Sequence, residues 1–201
     1  MTDNFDIYRA PQADLDATAR GEDGFGHFRF YVVSQRKFLI LFFATFSLYS
    51  VYWFYQNFKL NKQFLKNSDW PLPRTFFSIF FAHGLFEAID LHIKNKGLQY
   101  EWNWRQLANS YVLIVIVGRV LDRLSGKGED ISLIDMVVLL SLFLVGGVLC
   151  QVQRAINVAC LSASDDPNNA LTAANWIWIG IGGVFWLLIL IGLGTMVTGF
   201  K

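Results

Sequence analysis

The chain is poor in what soluble chemistry needs. Only 16% of its 201 residues are charged, it holds three histidines and two cysteines, and its formal net charge is +1. No Lys/Arg block is longer than Arg36-Lys37, so nothing in the charge pattern selects nucleic acid. No GxxxxGK[ST] frame, nucleophile elbow, CxxC pair, Rossmann fingerprint or HExxH occurs. Ser125-Gly-Lys-Gly128 has the glycines and lysine of a phosphate loop without its spacing. No nucleophile is supplied with a base, so no enzyme, no catalytic residue, no cofactor and no metal centre is expected. The first thirty or so residues lack an apolar core, and no signal peptide is expected from them. Cys150 and Cys160 point about 80° apart around one helix and read as reduced, inert thiols.

What the chain does have is apolar length. Hydrophobic residues make up 54%, with nineteen Phe and seven Trp. From Trp176 to Phe200 no Asp, Glu, Lys, Arg or His occurs. At about 1.5 Å per residue this run reaches roughly 37 Å, enough to cross a hydrocarbon core of about 30 Å. The expected class is therefore an all-α integral membrane protein.

Three firm transmembrane helices are expected: Leu107 to Arg123, Ile131 to Gln151, and Trp176 to Phe200 with Thr172 as its N-cap. Gln151 to Cys160 is read as an extension of the second span into water. Two aromatic-rich segments, Arg36 to Asn57 and Arg74 to Lys96, are ambiguous between crossing, dipping into one leaflet and lying in the interface. If both cross, there are five spans. Ser47 and Gly84 mark where each would bend. Residues 1–34 read as a disordered polar tail, with a short docking motif conceivable at Phe5, Ile7 and Tyr8; residues 35–106 as the two aromatic and basic segments; residues 107–201 as the three-helix region. Trp70-Pro-Leu-Pro73 breaks the chain between the segments.

Sliding the sequence so that Arg36 falls on Arg74 also brings Phe38 onto Phe76, Phe42 and Phe43 onto Phe80 and Phe81, Ala44 onto Ala82 and Asn57 onto Asn95. The two segments are thus expected to solve one structural problem twice. Loop charge separates the topologies. Five crossings spread Lys and Arg almost evenly, whereas keeping everything through Arg105 on the inner side leaves only Arg123, Lys127 and Lys201 outside. Cytoplasmic loops carry the Lys/Arg excess, so the second arrangement is preferred.

Two polar clusters are candidate sites. His83, Glu87, Asp90 and Lys94 recur at helical spacing and share one face, either the wet side of an in-plane helix or the lining of a proton or metal path. Arg119, Asp122, Arg123 and Asp135 flank a short turn, as a hairpin-locking ion pair or a lipid-headgroup site. Glycines 180, 182, 183, 192 and 194 mark a close-packing side of the last span.

The Tyr8-Arg-Ala-Pro-Gln12 start, the FYVVSQRKF entrance with Tyr52-Trp-Phe-Tyr55, and Asn175-Trp-Ile-Trp178 resemble small uncharacterised bacterial inner-membrane proteins. That resemblance implies a multi-pass helical bundle in the bacterial cytoplasmic membrane and carries no activity. The expected function is that of an accessory, scaffold or regulatory protein. Its partners would be anionic lipid headgroups and another membrane protein or a second copy, with no nucleic acid. The alternative is a small proton- or metal-coupled transporter or channel using the His83, Glu87 and Asp90 face.

Overall fold

The computed structural model describes residues 29–61, 78–124, 133–160 and 168–198. The expectations for residues 1–28, for Trp70 to Pro73, for Lys62 and Lys66 and for the Ser125 to Gly128 turn lie outside these. Among the described residues there are six helices and no strand: α1 Gln35–Ala44, α2 Leu48–Leu60, α3 Ser78–Asn95, α4 Trp104–Leu124, α5 Leu133–Cys160 and α6 Ala173–Thr198.

The segment from Arg36 to Asn57 is two helices. Ser34 caps α1, its side chain accepting from the Lys37 N–H. The helix ends when Ser47 N–H reaches back to the Phe42 carbonyl and Phe46 N–H to the Phe43 carbonyl, with Phe46 at φ 49° and Ser47 at φ 66°. That is the hydrogen-bond pattern of a Schellman turn, with a phenylalanine where glycine is usual. Phe46 is held there by stacking on Trp186 of α6, ring centroids 5.0 Å apart. α2 then returns along α1, since the Phe38 ring meets both Tyr49 and Trp53. At about 15 and 20 Å, neither helix of this hairpin is long enough to cross a bilayer core.

The second segment does not repeat this. α3 runs unbroken through Gly84 and ends instead at Gly97, φ 66°, with Leu98 N–H on the Ile93 carbonyl and Gly97 N–H on that of Lys94. The aligned stretches thus do not share one backbone path, since one turns at Ser47 and the other continues straight through Gly84.

α4 and α5 pack side by side, and α3 lies across one end of the pair. Its partners include Trp102 just before α4, Asn109 near the start of α4, Phe58 late in α2 and Phe30 against His92, while Lys96, just beyond α3, donates to the Ala159 carbonyl at the end of α5. The core gathers here too, around Phe38, Phe42, Trp53, Phe54, Phe86, Leu149 and Ile156. The stretch Gln151–Cys160, expected in water, carries buried Val152, Gln153, Ala155, Ile156 and Ala159 on one face. Arg29 to Ser34, assigned to the tail from sequence, is also part of this core: Phe30 and Val33 are buried and the backbone is extended between α2 and α5.

Among the described residues two helices are long and apolar enough to cross a membrane, through Ile134–Cys160 and Ala173–Thr195. α4, expected as a third, falls short of that description because Arg105, Asn109, Ser110, Arg119, Asp122 and Arg123 interrupt it. α6 is apolar all round and, among the described helices, packs chiefly on α1, with its Trp186 ring also against Phe143 of α5. Its contact is set by Gly182, where a Cβ would fall on the Ala44 carbonyl, while the positions beside Gly180, Gly183 and Gly194 are open. The small-residue side thus splits into one tight contact and several positions with room for a Cβ.

Candidate functional site

The His83, Glu87, Asp90 and Lys94 face is on one helix as expected, but its members have separate fates. His83 Nε2 lies 2.8 Å from Asn109 Oδ1 of α4. Glu87 is exposed, and Asp90 is buried. Asp90 takes the Lys94 ammonium at 2.7 Å and the Trp102 indole N–H at 3.1 Å. The face therefore ties α3 to the start of α4 at two levels. Among the described residues no group of three His, Cys, Asp or Glu is placed to hold a metal ion.

At the opposite end of α4, Arg119, Asp122 and Arg123 are exposed and Asp135 is half-buried. No salt bridge links Arg119, Asp122 and Arg123 to one another. Arg119 and Asp122 border a cavity of about 530 Å³ beneath the α1–α2 turn, where Ser47, Ser50 and Ser141 also reach. The cysteines are free, and both lie in α5.

Sequence reasoning missed the most polar buried assembly. Four carboxamides grip the extended segment from two sides. On α2, Asn57 Oδ1 accepts from the Tyr31 N–H at 3.0 Å, and Asn61 pairs with both backbone groups of Arg29. On α5, Gln153 Nε2 donates to the Tyr31 carbonyl at 3.3 Å and Asn157 Nδ2 to that of Val33 at 3.0 Å. Gln153 also takes the Trp53 indole N–H and bonds Asn157. Buried polar groups are tolerable only when paired in this way. The signal was present as two i, i+4 carboxamide pairs, Asn57/Asn61 and Gln153/Asn157.

Lys37 is the other surprise, since a basic residue at a helix entrance reads as a solvated flank. Its side chain is 5% exposed, and its ammonium donates to Asn168 Oδ1 at 2.9 Å and to the Ala170 carbonyl at 2.6 Å. Ser34 fastens the same connection, through its N–H on the Asn168 carbonyl and its hydroxyl on Asn169 Oδ1. Thr172 caps α6 as expected, its Oγ1 accepting from the Asn175 N–H and donating to Asn175 Oδ1. Between α1, α2 and the first turns of α6 lies a cavity of about 560 Å³ on which Lys37 borders. Burial pushes the Tyr31 hydroxyl, on the same wall, above its usual ionisation range.

Compared with protein-family models, with curated proteins and with solved structures, the chain matches none.

Proposed function

We propose that this chain is an accessory or scaffold protein of the bacterial cytoplasmic membrane that acts through lipid and partner contacts rather than by catalysis. α4, α5 and α6 cross the bilayer, α1 and α2 form a hairpin within the cytoplasmic leaflet, and α3 lies along that leaflet's surface. The observation that carries this reading is the position of the hairpin turn. Phe46 stacks on Trp186, about halfway along α6, and the Trp186 indole N–H donates to the Phe43 carbonyl at 2.9 Å. A turn at mid-depth, its backbone groups bonded to protein, is the form in which interrupted helix is tolerated in a membrane.

Exposure supports the same picture. Beyond the turn, α4, α5 and α6 present Leu113, Val120, Leu140, Leu144, Leu187 and Ile191 outward, each more than half exposed. In water a surface of that extent drives association; in lipid it is the normal exterior. Lys59, Lys94 and Lys96 lie at the opposite, polar end, near the start of α4. Each lysine near an anionic leaflet contributes about 1 kcal/mol of attraction. The engagement of His83 with Asn109 and of Asp90 with Lys94 and Trp102 supports a structural role for that face over the alternative of a coupled transport path.

Single cysteines at Lys59, Asn95 and Lys127, in a chain lacking Cys150 and Cys160, test the arrangement in intact spheroplasts with a membrane-impermeant thiol reagent. Lys127 is expected to label from outside, and Lys59 and Asn95 only after lysis. Labelling of Lys59 in intact cells overturns the hairpin. Saturable proton or divalent-cation flux in proteoliposomes that is lost in His83→Ala replaces the accessory role with transport.

A further inference from the structure

We propose that the cleft between α1, α2 and the first turns of α6 binds one anionic glycerophospholipid, its phosphate at Lys37 and an acyl chain along Leu41, Leu48 and Trp178. The inference rests on reading the chain as a membrane protein. The cavity, about 560 Å³, is of a size that binds small ligands.

The walls are rich in donors and hold no carboxylate among the described residues. An ammonium has three N–H groups, and Lys37 commits two of them, both to neutral acceptors. A cation this buried is costly without a counter-charge, and the third donor remains for one. Asn175 spends its Oδ1 on Thr172, which leaves its side-chain N–H groups available. Thr172, Ala174 and Asn175 form the start of a 26-residue helix, whose free N–H groups and dipole favour an anion at the same place. The Tyr31 and Tyr49 hydroxyls, 3.5 Å apart, add polar groups; Tyr31, its ionisation opposed by burial, keeps its proton. Chemistry of this kind takes a phosphate or carboxylate.

The other side of the cleft decides between a soluble anion and a lipid. α2 and α6 do not pack against each other, so the cleft opens sideways between them. Leu48 and Trp178 border that opening and are 66% and 53% exposed. A soluble phosphate has no use for an apolar wall that faces the bilayer, whereas an acyl chain does.

Full-length protein in mild detergent, read by native mass spectrometry, provides the test. Phosphatidylglycerol is expected to bind one per chain and about tenfold more tightly than phosphatidylcholine, and not to be displaced by inorganic phosphate. Lys37→Gln is expected to weaken it about tenfold. Because Lys37 also fastens α1 to residues 168–170, Asn175→Asp serves as the second variant. An acid in the first turn suits the helix while placing a negative charge in the cleft, so the same loss is expected with the melting temperature unchanged.

Equal affinity for the two lipids, displacement by inorganic phosphate, or full binding in Asn175→Asp overturns the proposal. So does a benzoylphenylalanine at Leu48 that cross-links to residues 1–28 of its own chain instead of to lipid. Alkaline carbonate extraction of the source membranes separates the two levels of failure. Release of the protein sinks the membrane reading itself, and retention without anionic preference sinks only the lipid site.

Discussion

Asn61 pairs with Arg29 as one strand pairs with another: its Oδ1 accepts from the Arg29 N–H at 3.1 Å and its Nδ2 donates to the Arg29 carbonyl at 2.7 Å. Asn57, one turn earlier, meets Tyr31 two residues later, so the extended segment runs antiparallel to α2. On α5 the order is reversed, Gln153 meeting Tyr31 and Asn157 meeting Val33. The match is geometric. Four helical residues rise about 6.0 Å and two extended residues about 6.6 Å, so i, i+4 carboxamides fall opposite i, i+2 peptides. A segment without strand partners thereby has its backbone satisfied in a buried place.

Removing one carboxamide leaves a buried peptide group unpaired. Asn157→Leu and Asn57→Leu are each expected to lower stability by about 1–3 kcal/mol, measured by equilibrium unfolding in mixed micelles. Amide exchange at Tyr31 should accelerate most in Asn57→Leu, which removes the acceptor of that N–H. Exchange as slow as in the unsubstituted protein would show that the clamp is not what orders the segment.

Gly182 and Gly183 offer a paired comparison on adjacent positions. A methyl at Gly182 meets backbone, the Ala44 carbonyl, which cannot swing aside as a flexible side chain would. Gly182→Ala is therefore expected to separate α1 from α6 and lower the melting temperature in detergent. At Gly183 nothing lies within 4 Å, and alanine there gains helix propensity of up to about 1 kcal/mol. Equal effects of the two substitutions would remove Gly182 from the α1–α6 contact.

Much of this architecture was legible in advance, and the misses have physical reasons. The long apolar runs of α5 and α6 stand out because hydropathy over a span's length is a sum that single residues do not disturb. The bend at Ser47 was marked by a small residue and the cap at Thr172 by its hydroxyl. Gly84 misled because a glycine permits a bend without requiring one, and α3 is kept straight by Ala82, Leu85, Phe86 and Ile89 packing along one side. Arg29 to Ser34 looked like tail because its apolar run, Phe30 to Val33, is far too short for a span and adjoins a polar stretch. It is ordered by carboxamides far along the chain, a long-range pairing that local pattern does not register. Lys37 was hidden for the same reason, since its acceptors at Asn168 and Ala170 are more than a hundred residues away.

The turn itself carries strain that glycine would relieve. Ser47 sits at φ 66°, and its side chain makes no capping hydrogen bond to α2. For a residue with a Cβ this conformation costs about 1–2 kcal/mol. Ser47→Gly is expected to recover part of it, raising the unfolding midpoint, while Phe46→Gly is expected to destabilise because the stack on Trp186 goes with the ring. A Ser47→Gly protein less stable than the original would mean that the hairpin depends on the serine for something other than its backbone angle.

The Asp90 neighbourhood separates a structural tether from a solvated ion pair. Lys94 is 68% exposed, so its bridge to Asp90 is screened, and Lys94→Ala is expected to cost less than about 1 kcal/mol. Asp90 itself is buried and also receives the Trp102 indole N–H, which joins α3 to the residues leading into α4. Asp90→Asn keeps an acceptor for Trp102 and should sit near Lys94→Ala. Asp90→Ala strands that donor and should cost about 1–3 kcal/mol. The expected order is Asp90→Ala well below Asp90→Asn, with Lys94→Ala nearest the original protein. If Lys94→Ala were the most damaging of the three, the charge pair would be holding α3 in place, and the contact through Trp102 would be incidental.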